Sequence, residues 1–149
     1  MKGGGAEKVI VKLLNYIAKS QNGYDIDLLL VKKEGLLLDE LNKNIKIFDF
    51  NKNHVKNSLL NIINYLRIQK PDYFISSLDY MNLISSLAYK ISNSKSNFLI
   101  WEHNNLSIHS KKTISNSLFL NKILIKVFYS YSKKIIAVSN GVKDDLIAN

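Results

Sequence analysis

The sequence predicts an α/β domain with a Rossmann-like, mainly parallel β-sheet flanked by helices. Short, strongly apolar segments alternate with segments whose apolar residues recur at helical spacing, in the order α β β α β α β α β α. The 149 residues have the size of one domain, and we find no linker, internal repeat or low-complexity stretch that would divide them. With 46% hydrophobic and 22% charged residues, the composition is that of a globular protein.

The first third of the chain predicts one helix followed by two strands. The apolar residues of the helix fall on one face, namely Ala6, Val9, Ile10, Leu13, Leu14 and Ile17. We expect this helix to end near Gly23, a natural stop signal. Residues 27–31 (DLLLV) form a continuous apolar run that is typical of a strand buried on both faces, and residues 45–50 (IKIFDF) alternate as a strand does.

The middle of the chain predicts two helices and two strands. The apolar face of the first helix consists of Val55, Leu59, Ile62, Ile63 and Leu66, and the only proline, Pro71, follows its end. Residues 73–75 read as a strand and residues 76–79 as a turn in which Asp79 caps the next helix. The expected buried face of that helix is Leu83, Ile84, Leu87, Ala88 and Ile91. Residues 97–101 form the next strand.

The last third begins with a polar loop and predicts two helices around one strand. The first helix places its apolar residues at Leu120, Ile123, Leu124, Val127, Phe128 and Tyr131. Residues 134–138 (KIIAV) form the last strand, and Ser139 is placed to cap the helix that follows.

Composition limits the classes of function. The chain has no cysteine, so disulfides and thiolate metal sites are excluded. No apolar run reaches the roughly 20 residues of a membrane span, and the N-terminus lacks a signal-peptide pattern, so we expect a soluble or peripheral, cytoplasmic protein. The net charge of +9 favours an anionic partner, although heavy use of Lys, Asn and Ile across the sequence accounts for part of it.

Ligands of parallel α/β sheets bind at the carboxyl ends of the strands. That rule directs attention to the glycine turn at residues 3–5 and to the segments 76–79, 102–105 and 139–141. Four segments that include these positions carry a family resemblance: GGGAEKV at 3–9, YFIS at 73–76, WEHN at 101–104 and KKIIAVSNGVKDDL at 133–146. Together they resemble glycosyltransferase family 4, the nucleotide-sugar-dependent retaining glycosyltransferases of two-domain GT-B architecture. The resemblance covers the whole chain, residues 1–149, as a single Rossmann-like domain.

The resemblance implies roles for six residues. His103, in the loop after the predicted strand 97–101, would stand beside the transferred sugar as the catalytic candidate. The backbone of Gly4 and Gly5 would approach the donor diphosphate, because glycine permits positive φ and leaves no side chain in the way. Further substrate contacts are expected from Asn104, Ser139 and Gly141. Glu7 is expected to have only a structural role in the first helical turn, and His54 and His109 to lie on the surface.

The implied partners are a nucleotide sugar and a glycan or lipid-linked acceptor, with no metal or other cofactor. Such enzymes serve surface polysaccharide or lipopolysaccharide biosynthesis. The exposed lysines of the last third are either a solvated surface or a contact with the anionic inner face of a membrane. They are Lys111, Lys112, Lys122, Lys126, Lys133 and Lys134.

The sequence departs from the family pattern at both ends. The family's first strand, expected before Gly3, and its C-terminal donor-binding domain are both missing. We therefore expect an N-terminal fragment of a glycosyltransferase that is inactive alone. One alternative is a non-catalytic remnant or interaction module. A basic nucleic-acid-binding domain is disfavoured, because the aromatic residues fall mainly on apolar faces and no binding motif for nucleic acid is found.

Overall fold

The computed structural model describes residues 4–20, 23–105 and 118–148. It divides the chain into two compact units, Met1–His54 and Val55–Asn149. The predicted order of helices and strands is confirmed throughout the described ranges, and every strand pairs in parallel. The predicted fold class, a parallel α/β domain flanked by helices, is thus confirmed. The described strands form two separately paired sheets, where the sequence predicted one.

The first unit contains one helix and a two-stranded sheet. Its elements are α1 (Gly5–Lys19), β1 (Asp27–Leu30), a 3₁₀ helix (Leu36–Leu38) and β2 (Lys46–Asp49), and β1 pairs with β2 in parallel. The core of this unit includes Val11, Leu30, Leu37 and Ile45. Two predictions need correction here. Val11, which was not on the predicted face of α1, is its buried residue, and β1 is half-buried along most of its length instead of buried on both faces.

The second unit contains a three-stranded parallel sheet in the order β3, β4, β5. It begins with a 3₁₀ helix (Val55–Ser58), followed by α2 (Leu59–Gln69), β3 (Tyr73–Ser77), α3 (Asp79–Ser92), β4 (Asn97–Glu102), α4 (Leu118–Tyr129), β5 (Lys134–Ala137) and α5 (Asn140–Ala148). A helix connects each strand to its parallel neighbour, because parallel strands need a crossover of this kind. All three strands therefore end at the same edge of the sheet.

One face of β4 forms the centre of the core of the second unit. Side chains alternate along a strand, so Phe98, Ile100 and Glu102 share a face, and all three are fully buried. The ring of Phe98 stacks on Phe74 of β3 and on Tyr89 of α3, with centroid distances of 5.1 Å and 5.0 Å. The same buried face therefore begins apolar and ends on a carboxylate.

Small polar residues next to the predicted apolar face of α3 form part of its buried face. Leu83 and Ala88 are buried as predicted, but Ile91 is 45% exposed. Asn82, Ser85 and Ser86 are more deeply buried than Ile91 and its half-buried neighbours on the predicted face. Serine lets the helix approach its neighbours closely, and the Ser86 hydroxyl is satisfied locally because it donates to the carbonyl of Asn82 at 2.7 Å.

The buried face of α4 also differs from the prediction. Ile123 and Val127 are 42% and 45% exposed, whereas Tyr129, which was not on the predicted face, is 5% exposed. Leu120 lies among residues whose side chains the structure does not describe. The helix is therefore rotated so that a residue with a hydroxyl, and not the most apolar stripe, faces the interior. A buried tyrosine hydroxyl needs a polar partner, and it finds one at the end of β4.

The turn from β3 to α3 contains a strained residue. Leu78, and not the predicted Asp79, occupies the N-cap position, with φ 79° and ψ 135°, and Asp79 is the first helical residue. Positive φ brings the Cβ of a non-glycine residue too close to its own backbone. The surrounding strand and helix hold Leu78 in this conformation at the carboxyl edge of the sheet, where strain is often associated with a site.

We expect Leu78→Gly to be more stable than Leu78→Ala by about 1 kcal/mol, the reverse of the usual order for these two residues. Both variants lose the same partly exposed side chain, but only glycine relieves the positive φ. Urea unfolding followed by far-UV circular dichroism measures the difference. Equal stability of the two variants, or a more stable alanine variant, would contradict a strained backbone at Leu78.

Candidate functional site

The carboxyl ends of β3, β4 and β5 assemble a candidate site in the second unit. In the pairing register Ser77 lies beside Trp101, and Glu102 lies beside Ala137. The turn after β5 is tied to the end of β4, because the amide of Val138 donates to the carbonyl of Glu102 at 3.2 Å. The structure thus brings His103 and Asn104 to the same sheet edge as Ser139 and Gly141, as the strand-end rule predicted.

His103 is half-buried immediately after β4. Its imidazole packs on the indole of Trp101, with a centroid distance of 4.9 Å and an interplanar angle of 39°. The chain has a single tryptophan, so this contact also provides a spectroscopic reporter of the site. His54 is exposed, as predicted, and His109 lies outside the described residues.

Glu102 is the principal residue of the site that sequence reasoning missed. Its side chain is fully buried, and its carboxylate accepts hydrogen bonds through both oxygens. Oε1 accepts from the amides of His103 and Asn104 at 3.1 Å and 3.4 Å. Oε2 accepts from the hydroxyl of Tyr129 at 2.6 Å and from Nδ2 of Asn82 at 3.3 Å.

The polar cluster extends from Glu102 into β3. The amide group of Asn82 reaches Glu102 with its nitrogen, and its Oδ1 accepts from the hydroxyl of Ser76 at 2.7 Å. Ser76, Asn82 and Tyr129 are each at most 5% exposed. A signal for this cluster was present in the sequence, since strict alternation from Phe98 places Glu102 on the buried face, and a buried carboxylate requires polar partners.

The turn into α5 has the predicted capping geometry. The Oγ of Ser139 accepts from the amide of Val142 at 3.3 Å, and its carbonyl accepts the first helical bond from Lys143 at 3.0 Å. Ser139 and Gly141 are exposed next to the end of β5. The capping role of Ser139 is confirmed, while its contact with a substrate stays a prediction.

The glycine turn belongs to the first unit. Gly4 is extended at φ −64° and ψ 158° and is the N-cap of α1, and its amide donates to the Glu7 carboxylate at 3.1 Å. A Cβ built on Gly5 meets no described heavy atom within 4 Å, and one on Gly4 meets only Glu7 Oε2, at 3.9 Å. Neither residue uses the positive φ that the sequence reading invoked, so that reason for glycine was wrong. Gly3 lies outside the described residues.

The described residues contain neither a metal-binding group nor a membrane-spanning helix. Within residues 4–20, 23–105 and 118–148, no group of three or more His, Asp or Glu is arranged to hold a metal ion. In the same part of the chain, no helix is long and apolar enough to cross a membrane. The described lysines of the basic surface, Lys122, Lys126, Lys133 and Lys134, are all exposed.

Comparison with solved structures shows what this fold is similar to. The chain superimposes on the apo form of the lipopolysaccharide outer core galactosyltransferase WaaB with a TM-score of 0.67 and 21% sequence identity. The match covers 97% of this chain and 38% of that chain, so the protein spans well under half of the length of this structural neighbour. No protein-family model matches the sequence, and no curated protein matches it significantly. At this identity the likeness establishes a shared α/β fold.

Proposed function

We propose that this chain is the acceptor-side part of a glycosyltransferase, which transfers a sugar from a nucleotide-sugar donor to a glycan or lipid-linked acceptor of surface polysaccharide or lipopolysaccharide. One observation carries the proposal: a half-buried histidine lies on an anchored loop at the carboxyl edge of a parallel sheet whose fold is that of a galactosyltransferase. We propose glycosyltransferase family 4 as its family, on the basis of the four sequence segments.

In this proposal the protein orients the reactants and needs no pair of catalytic carboxylates. Retaining transfer on one face of the sugar leaves the diphosphate to help deprotonate the acceptor hydroxyl. His103 would lie beside the transferred sugar, and Asn104, Ser139 and Gly141 would line the same edge. Glu102 is committed to hydrogen bonds with its own protein, so it is unsuited to direct attack on a sugar, as a hydrolase carboxylate does.

The decisive experiment measures sugar transfer from a panel of nucleotide sugars to lipopolysaccharide and lipid-linked acceptors, without added metal. We expect turnover by the full-length gene product and none by the 149-residue chain alone. A full-length product that neither binds nor turns over any nucleotide sugar would favour the non-catalytic module. Tight binding of single-stranded RNA with a steep salt dependence would favour the nucleic-acid alternative.

The proposal also predicts an unusual effect of Gly5→Ala. Because Gly5 lies in the first turn of α1 with open space around it, alanine should stabilise the protein by about 0.5 kcal/mol. If the backbone there approaches the donor diphosphate, the added methyl group should weaken donor binding about tenfold or more. Calorimetric titration of the full-length protein with its nucleotide sugar measures the affinity.

The matched control is Gly23→Ala. Gly23 has φ 64°, so alanine there should destabilise the protein by about 1 kcal/mol while donor affinity stays unchanged. Unaltered donor affinity in Gly5→Ala would remove Gly5 from the donor site.

A further inference from the structure

We propose that Glu102 is a positioning residue, whose buried carboxylate fixes the backbone of His103 and Asn104 and thereby the His103 imidazole at the sheet edge. The fixing of the loop backbone by Glu102 is a property of the 149-residue chain alone. Its consequence for catalysis rests on the proposed glycosyltransferase function.

The buried Glu102 carboxylate carries a cost in free energy. A charged group removed from water is retained only where polar partners replace its hydration. Glu102 is fully buried, and donors from four residues converge on its two oxygens, which matches the acceptor-only chemistry of an ionised carboxylate. Phe98 and Ile100, which precede Glu102 on the same face of β4, are apolar. Packing of this face therefore does not require a charged residue at position 102.

The two oxygens of the Glu102 carboxylate bind different parts of the second unit. Oε2 is held by Asn82 of α3 and by Tyr129 of α4, two helices that flank the sheet. Oε1 accepts hydrogen bonds from the two backbone amides of the loop. The carboxylate therefore joins the rigid framework of the second unit to the segment that carries the candidate catalytic side chain.

Asn82, one of the partners of Glu102, is itself held by hydrogen bonds. Its Oδ1 accepts from Ser76, which sits on β3, and its Nδ2 lies 3.5 Å from both the carbonyl of Trp101 and the hydroxyl of Tyr129. Buried networks in which each member has a partner rigidify their surroundings. Trp101, whose indole supports the imidazole of His103, is the neighbour of Glu102 in β4.

The test uses Glu102→Gln and Tyr129→Phe, which preserve side-chain volume. A glutamine amide cannot offer acceptors to the loop and to the two helices at once, so one pair of donors loses its partner. We expect hydrogen exchange at the amides of His103 and Asn104, measured by NMR on the 149-residue chain, to accelerate about tenfold or more in Glu102→Gln. Tyr129→Phe should change exchange in the same direction by a smaller factor, and Trp101 fluorescence should change in both variants.

The control is Ser96→Ala. Ser96 is buried and its hydroxyl donates to the carbonyl of Pro71 at 2.5 Å, at the opposite end of β4. This variant should lower the melting temperature but leave exchange at His103 and Asn104 and the Trp101 signal unchanged. Unaltered exchange at both amides in Glu102→Gln, or equal acceleration in Ser96→Ala, would overturn the positioning role.

The catalytic consequence is measured separately in the full-length protein. If Glu102 positions His103 for transfer, Glu102→Gln should lower kcat about tenfold or more and leave KM for the donor unchanged. Wild-type kcat in a variant with accelerated loop exchange would overturn the catalytic consequence. Absence of transfer by the wild-type protein would instead overturn the proposed function, and the exchange measurements would still decide whether Glu102 holds the loop.

Discussion

Under the proposed function, replacing His103 by alanine is expected to lower the kcat of sugar transfer by the full-length protein about 100-fold or more, with little change in stability. The side chain is half-buried at the sheet edge, and its described ring contact is with Trp101. A positioned histidine contributes about 10²- to 10⁴-fold to reactions in which it acts directly on the reacting groups. Initial rates at saturating donor and acceptor measure the effect.

The matched control for this variant is His54→Ala. His54 is an exposed histidine, and its replacement should leave kcat unchanged. His103→Ala should also alter Trp101 fluorescence in the 149-residue chain, because it removes the stacked imidazole, whereas His54→Ala should not. Wild-type turnover by His103→Ala would exclude His103 from the reaction and would redirect attention to the other residues of the sheet edge.

The largest effect on stability is expected from Phe98→Ala, at about 3–5 kcal/mol. Phe98 is fully buried at the centre of the sheet and stacks on Phe74 and Tyr89 from two different elements. Truncation removes both ring contacts and leaves a cavity that the strand cannot close. Since a domain of this size is stable by about 5–15 kcal/mol, the variant should lose a large part of its stability.

Urea unfolding followed by far-UV circular dichroism gives the free energy of unfolding of this variant. Tyr73→Ala, on the neighbouring strand but 63% exposed, is the aromatic control and should cost less than about 1 kcal/mol. A loss in Phe98→Ala that is no larger than the loss in Tyr73→Ala would mean that the core of the second unit does not depend on the buried face of β4.

The order of elements and the location of the candidate site could be read from local patterns. Alternation in β2 and helical spacing in α2 depend on the backbone repeat of each element, which a short window of sequence contains. The strand-end rule then placed His103 and Ser139 at one edge, because it depends only on strands being parallel. The structure confirms this placement within the second unit.

The rotation of α3 and α4 could not be predicted in the same way. Each helix has two adjacent faces that are rich enough in small or apolar residues to be buried, and periodicity favoured the more apolar one. In the structure Asn82 and Tyr129 face inward instead, because each finds a hydrogen-bond partner at Glu102. That partner lies 20 and 27 residues away along the chain, beyond any local window.

The sequence by itself determined the fold class, the order of helices and strands, and the meeting of the loops after β4 and β5 at one carboxyl edge, since these follow from local periodicity and parallel pairing. Only the tertiary structure decided that Asn82 and Tyr129 are the partners of the buried Glu102, that Leu78 is held at positive φ, and that Gly4 and Gly5 adopt ordinary conformations. The physical reason is that burial, strain and hydrogen-bond partners are set by groups distant in sequence, whose approach depends on how whole elements pack.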